Sequence, residues 1–295
     1  MTLSTSLLRS QLAFFKPFLQ DCSIETVRAG QDKLGLLMAG RLRSKLTYAP
    51  VVFRHFVGEW IVPAAPSRDG VILYLHGGGY VAGDLEYARG FGSVLAAKNN
   101  VRVFCAAYRL APEHPFPAAL EDALAAYQLL LDTGYEGRQI MLCGESAGGG
   151  LIYSLAVRLK ELGMPLPGGL IAISPWSDLT ASGKSYQKNR EKDPTMQEAR
   201  LRFYAECYTD KPANPLVSPL FADLNGMPPS LIFVGGDEIM LDDAALLHQK
   251  LLDAGCESLL TVTPDMWHGY ILYGVSEAKR DLETIRHFLY EHLRG

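Results

Sequence analysis

The sequence predicts an α/β protein with a mostly parallel central sheet and helices on both faces. Beyond residue 70, short apolar runs alternate with apolar residues at helical spacing, which is how strands and helices alternate in such a sheet. One junction between a run and a helical pattern carries "GESAG". Another run ends in three consecutive glycines at 77–79. With 295 residues, 48% hydrophobic and 20% charged, the chain suits one large domain or a domain with a small addition.

The predicted strands begin as a hairpin and continue as separate buried runs. The stretches "VVFRHFVGEW" and "WIVPA" alternate like an exposed hairpin. The later runs are "VILYLH", "VRVFCAA", "IMLCG", "LIAIS", "LIFVGG" and "LLTVT". Helical spacing predicts helices over about 86–99, 117–132, 146–163, 242–254 and 276–293.

Two segments do not follow this alternation. Residues 184–210 form a polar and aromatic insertion after "LIAIS". Residues 1–45 look helical, and their apolar side carries Leu7, Leu8, Leu12, Phe15, Phe18 and Leu19. We expect both to fold together as a helical cap over the carboxyl edge of the sheet, with residues 46–295 as the main domain. Six aromatic residues of these segments either line a substrate pocket or form the core of the cap: Phe14, Phe15, Phe18, Phe203, Tyr204 and Tyr208.

Composition excludes several classes of protein. The net charge is −4 without a Lys/Arg-rich run, so nucleic acid is not an expected partner. Five cysteines without C-x-x-C spacing indicate reduced thiols rather than a disulfide frame or a zinc site. The sequence has neither a signal-peptide pattern nor a run of 18 apolar residues, which predicts a cytoplasmic protein without stable membrane insertion. A membrane-surface helix within residues 1–45 is the less favoured alternative, since its polar side has few cations.

Ser146 is the candidate nucleophile. It lies in G-x-S-x-G, between Gly144 and Gly148, after one apolar run and before a helical pattern. This order predicts a strand that turns sharply into a helix and exposes the serine hydroxyl on the turn. The motif alone is short, and its context gives it weight.

The glycine run at 77–79 is the candidate oxyanion hole. Consecutive glycines are entropically costly, so we expect the backbone there to approach a bound group closely. Its N–H groups and that of Ala147 could together stabilise developing negative charge. A flexible turn and a phosphate cradle are the alternatives. The phosphate cradle is disfavoured because the run does not open a G-x-G-x-x-G helix.

His268 and Asp237 complete the predicted site. His268, in "TPDMWHGY", follows the last predicted strand in a loop, whereas the other histidines have simpler structural interpretations, and His76 is expected to position the glycine loop. A carboxylate should follow a strand between the serine and the histidine. Asp237 does so directly after "LIFVGG". Three rivals in the same loop are interpreted as the first turn of the next helix: Glu238, Asp242 and Asp243.

With these motifs the chain resembles the hormone-sensitive-lipase-type esterases, the bacterial family IV branch of the α/β-hydrolases. The matching stretches are "HGGGY", "YRLAPEHPFPAALEDA", "GESAGGG", "SPWSDL", "DEIMLDD" and "HGY", in order over residues 70–295. The resemblance implies an α/β-hydrolase catalytic domain, no metal or other cofactor, and the following roles. Ser146 would be the nucleophile, His268 the base and Asp237 its orienting acid, with the N–H groups of Gly78, Gly79 and Ala147 as the oxyanion hole. The chain departs from the family at Glu145, often Asp, and at Asp237-Glu238-Ile239, often Asp-Pro-Leu.

The expected function is hydrolysis of a short- to medium-chain carboxylic ester, a small-molecule substrate, through an acyl-enzyme. A lactone hydrolase, a deacetylase or an amidase would use the same residues, and the sequence leaves these open. A ligand-binding receptor of the same fold and a structural role are less favoured, since neither needs all three side chains. Arg109, Glu113, Asp122 and Asp178 are interpreted as scaffold charges. A homodimer through an edge strand such as 259–263 stays open.

Overall fold

Eight strands form one twisted sheet in the order β1-β2-β4-β3-β5-β6-β7-β8. The computed structural model describes residues 5–20, 22–40, 42–67 and 69–293. The strands are β1 (Leu46–Val52), β2 (Val57–Pro63), β3 (Val71–Leu75), β4 (Arg102–Ala107), β5 (Ile140–Glu145), β6 (Gly169–Ile173), β7 (Ser230–Gly235) and β8 (Ser258–Thr263). β1 and β2 form the predicted antiparallel hairpin, and β2 runs antiparallel to β4. The remaining neighbours are parallel, as the sequence predicts.

Nine α-helices are present in the described ranges. They are α1 (Thr5–Gln20), α2 (Ile24–Ala39), α3 (Leu85–Asn99), α4 (Ala118–Asp132), α5 (Ala147–Glu161), α6 (Ser185–Lys188), α7 (Glu198–Tyr208), α8 (Leu241–Asp253) and α9 (Ala278–His292). The five helices predicted for the main domain lie within two residues of their expected starts and ends. Asp84 begins α3 by accepting hydrogen bonds from the N–H groups of Glu86 and Tyr87, the usual contribution of an N-cap.

The sheet separates two apolar cores. Strand side chains alternate between the faces, so Leu73 and Leu75 of β3 join the core under α4, α5 and α8, and Ile72 and Tyr74 join the core under α3 and α9. All five residues of β3 are fully buried, as expected for a central strand of a covered parallel sheet. The parallel strands all end at the same edge, where their loops meet.

The first helices only partly follow the predicted apolar face. Leu8 and Leu12 of α1 pack against the core under α3 and α9. Phe14, Phe15 and Phe18 are instead 55–68% exposed and contact one another. Within the described ranges, no helix has the length and apolar character needed to cross a membrane.

Candidate active site

Ser146 lies on the sharp turn between β5 and α5. Its backbone has φ 55° and ψ −122°, a strained conformation for a residue with a side chain. The turn closes because α5 comes very near β3: a Cβ on Gly148 would lie 2.0 Å from the carbonyl oxygen of Leu75. The predicted order of strand, elbow and helix is therefore present, with Ser146 at its apex.

The glycine loop after β3 contributes N–H groups to the cavity that contains this serine. The N–H of Gly77 donates to Glu145 Oε1 at 2.6 Å. Within the described part of the chain, the N–H groups of Gly78 and Gly79 have no protein acceptor. Both residues have positive φ, 115° and 64°, and line the same cavity as Ser146. Ala147 is the first residue of α5, where N–H groups have no partner within the helix.

His268 follows β8 and turns back toward the serine. Its side chain is 12% exposed, and Nδ1 lies 2.9 Å from Glu238 Oε2. Burial alone would lower the pKa of His268, but the hydrogen bond and charge of Glu238 outweigh it and raise the pKa above its usual 6.5. An ionised carboxylate only accepts, so Nδ1 carries the proton and the neutral ring keeps Nε2 as an acceptor. His268 and Ser146 line one cavity.

The histidine's partner is Glu238, which corrects the choice of Asp237. Asp237 Oδ2 instead accepts a 2.7 Å hydrogen bond from Arg9 of α1. The backbone turns here, with the N–H of Glu238 donating to Gly235. Adjacent side chains on such a turn diverge. Asp237 therefore remains partly exposed, and Glu238 is fully buried under the histidine. Asp242 and Asp243 do occupy the first turn of α8.

Ser174 is a second contact of this acid, and its role was not predicted from the sequence. Its Oγ donates to Glu238 Oε1 at 2.6 Å, and the N–H of Gly235 donates to the same oxygen. The N–H of Gly269 donates to Ser174 Oγ at 3.1 Å, so one hydroxyl touches both the acid and the residue after His268. The signal available in the sequence was its position directly after β6 in "SPWSDL".

Two buried side chains form hydrogen bonds with the backbone of the glycine loop. Glu145 accepts from Gly77 and, at 2.5 Å, from Tyr74 Oη. Burial raises its pKa to about 7. His76 donates from Nδ1 to the carbonyl of Gly77 at 2.7 Å and stacks on Tyr108. Burial lowers the pKa of His76 to about 4, which suits the predicted positioning role and not that of a base at neutral pH.

The scaffold charges are paired away from the serine. Arg109 forms a bidentate contact with Asp122, and Asp178 accepts from its own turn. Arg28 of α2 holds Glu113 with two hydrogen bonds. Over the described ranges, no group of three or more His, Cys, Asp or Glu side chains is arranged to hold a metal ion.

The cavity above Ser146 measures about 250 Å³. Its walls come from the glycine loop, the histidine loop, the N-terminal helices and the insertion at 184–210. The main apolar wall residues are Leu12, Val27, Leu34, Met196, Leu201 and Leu272. Of the six aromatic residues proposed for pocket or cap core, Tyr204 lines the cavity. Tyr208 is buried against Tyr80, and Phe203 is 42% exposed.

Known proteins share this architecture. A family model described as α/β-hydrolase fold matches residues 72–272. An acetyl-hydrolase of Streptomyces hygroscopicus is 40% identical over 245 residues, 81% of each chain, and an esterase of Acinetobacter venetianus is 35% identical over 77% of each.

Solved structures agree over nearly the whole chain. A mutant of the esterase E40 superposes with a TM-score of 0.91 and 36% identity, over 99% of this chain and all of that one. EstE7, a hormone-sensitive-lipase homologue from a metagenome library, gives 0.90 and 31%, with the same coverage. Together with the elbow and the glycine loop, these matches show that the chain belongs to the hormone-sensitive-lipase-like esterases of the α/β-hydrolase fold.

Proposed function

We propose that the protein is a serine carboxylesterase that hydrolyses small carboxylic esters with short to medium acyl chains. The observation that carries this proposal is the contact between His268 and Glu238 at the cavity that also contains Ser146. Relatives named esterase and acetyl-hydrolase support the reaction class. The cavity of about 250 Å³, whose wall surface is mostly apolar, favours a modest acyl group over a long one.

In the proposed first step, Ser146 Oγ attacks the ester carbonyl while His268 Nε2 takes the hydroxyl proton. The carbonyl electron pair moves onto oxygen, where the N–H groups of Gly78, Gly79 and Ala147 would stabilise it, each contributing roughly 3 kcal/mol in the transition state. When the tetrahedral intermediate collapses, the bond to the alcohol oxygen breaks and His268 gives that oxygen its proton. Glu238 keeps the proton on Nδ1 and stabilises the imidazolium.

The second step repeats the chemistry with water. His268 takes a proton from water while the resulting hydroxide adds to the acyl carbon. Collapse then breaks the bond to Ser146 Oγ, which takes the proton back from His268, and the acid is released. All groups in these steps belong to the chain, so the proposal includes no metal or other cofactor. We also propose that residues 1–45 and 184–210 act as the cap, since members of both line the cavity.

Hydrolysis of p-nitrophenyl acetate, butyrate, octanoate and palmitate at about pH 8 tests the function. We expect the wild type to cleave the short esters and Ser146→Ala to lose three or more orders of magnitude in kcat. The neighbouring Ser154→Ala, on α5 and bonded within that helix, is the matched control and should keep its activity. Equal, negligible rates for the wild type and Ser146→Ala on every ester would refute the proposal.

A deacetylase is the second candidate, because the Streptomyces relative is named an acetyl-hydrolase. It would use the same steps with an acetylated alcohol or amine. Release of acetate from acetyl esters and acetamides separates the candidates, and ring opening of a lactone panel to hydroxy acids is followed alongside. A preference of at least tenfold in kcat/KM for acetamides over esters would favour the deacetylase.

A further inference from the structure

The insertion at 184–210 makes a row of buried polar contacts to the loop that carries Glu238. Ser185, Asn189 and Asp193 are each 1–2% exposed. They follow one another at intervals of four, and backbone hydrogen bonds link Asn189 to Ser185 and Asp193 to Asn189. Residues four apart along such a helical path share a face. This face meets residues 236–239.

Each of these side chains forms a hydrogen bond with the backbone beside or at Glu238. Asn189 Nδ2 donates to the carbonyl oxygens of Gly236 and Glu238, at 3.1 and 2.8 Å. Ser185 Oγ donates to the carbonyl of Ile239 at 2.6 Å. The N–H of Ile239 donates to Asp193 Oδ2 at 3.0 Å. Carbonyl and N–H groups on both sides of Glu238 therefore have hydrogen-bond partners in the insertion.

Asp193 also holds the wall of the substrate cavity. Its other oxygen, Oδ1, accepts from the N–H groups of Thr195 and Met196, at 2.8 and 3.0 Å. Thr195 and Met196 both line the cavity above Ser146. One buried carboxylate thus joins the cavity wall to the acid loop.

We propose that the insertion positions the catalytic acid, with Asn189 and Asp193 as positioning residues that act through the backbone of 236–239. The proposal rests on the proposed function, since it assigns Glu238 the role of orienting His268. A merely cavity-forming insertion would need apolar side chains over the pocket. Burial of polar groups costs free energy unless each group has a well-placed hydrogen-bond partner. The contacts to four carbonyl and N–H groups of the acid loop therefore favour one fixed geometry of that loop.

The main test compares Asn189→Ala with Gln187→Ala. Gln187 lies in the same segment, but its side chain bonds Glu198 within the insertion. We expect Asn189→Ala to lower kcat by about 10- to 100-fold with KM within about threefold, as small misplacements of catalytic groups do. Gln187→Ala should keep kcat within twofold.

The pH profile provides a readout that a purely structural role would not move. The charged groups that act on His268 are Glu238, Asp193 and Glu145. Asn189→Ala changes none of these charges, yet a loosened Glu238 contact lowers the pKa of His268. The acid limb of kcat/KM should therefore shift to lower pH in Asn189→Ala and stay in place in Gln187→Ala.

Hydrogen exchange measured by mass spectrometry follows the acid loop independently of turnover. Peptides covering 235–240 should exchange faster in Asn189→Ala and unchanged in Gln187→Ala. If Asn189→Ala does not fold, Asp193→Asn replaces it, because both oxygens of Asp193 face N–H donors and an amide cannot accept with both. A folded variant with wild-type kcat, or with unchanged exchange at 235–240, overturns the inference. An inert wild type would refute the esterase instead and leave the exchange test decisive.

Discussion

Amide substitutions at Glu238 and at its neighbour Asp237 should have very different effects on kcat. Two donors, Ser174 Oγ–H and the N–H of Gly235, point at Glu238 Oε1. In Glu238→Gln the amide oxygen must take that place, because the backbone N–H cannot turn away. The amide NH₂ then faces His268 Nδ1, which has to accept instead of donate. The ring proton moves to Nε2, and the imidazole can no longer take a proton from Ser146.

The cost of this tautomer change is large. In other triads, exchange of the acid for its amide or its removal lowers kcat by about four orders of magnitude. We expect three to four orders here, equal to about 4–5.5 kcal/mol at 1.36 kcal/mol per tenfold change. Asp237→Asn removes only the partly exposed ion pair with Arg9. Such pairs contribute about 0–1 kcal/mol, so kcat should stay within about fivefold.

Steady-state hydrolysis of p-nitrophenyl butyrate at about pH 8 measures both variants, with thermal unfolding as the check that each is folded. A thousandfold loss of kcat in folded Asp237→Asn would refute the assignment of Glu238 as the acid. A Glu238→Gln variant that keeps more than a tenth of the wild-type kcat would refute it as well.

Three further predictions concern neighbouring groups. Because Glu238 raises the pKa of His268 above 6.5, kcat/KM should rise with pH through a midpoint above 6.5 and be lost below that midpoint. A midpoint at or under 6.5 in a pH–rate profile would contradict the assignment of Glu238 as the partner of His268. Ser174→Gly removes the hydroxyl, and glycine fits the φ of 48° at this position, so kcat should fall about 10- to 100-fold. The control Ser177→Ala loses a hydrogen bond to a backbone carbonyl and should not change kcat more than about threefold. Gly148→Ala would place a Cβ 2.0 Å from the Leu75 carbonyl, so soluble yield and melting temperature should both drop; a variant as stable as wild type would show that α5 can move away from β3.

The sequence predicted those parts of the site that depend on local patterns. Small residues are required wherever two backbones come close, so the sequence alone indicates the turn at 144–148 and the glycine run at 77–79. The strands and helices of the main domain could likewise be predicted, because their apolar residues recur at the spacing of each element.

The acid could not be chosen locally. Asp237 and Glu238 are adjacent, and the turn that separates their directions is fixed by contacts with Met266, Arg9 and Asn189, which are distant in sequence. The phenylalanines of α1 are exposed, although they were predicted to line a pocket or form the core of the cap, and the reason is related. Helical spacing shows that a face is apolar, but the neighbours of that face depend on how the helix is placed.

The strand order also fixes the direction in which an ester can lie. The glycine loop at 77–79 follows β3, on one side of the serine strand β5, while the histidine loop follows β8, three strands away on the other side. A carbonyl attacked by Ser146 would have to turn its oxygen toward β3 and its departing alcohol toward the histidine. Only one face of the planar ester meets Ser146 in that orientation. The succession of strands therefore decides which walls of the pocket would lie beside the alcohol, and those walls would discriminate between mirror-image alcohols.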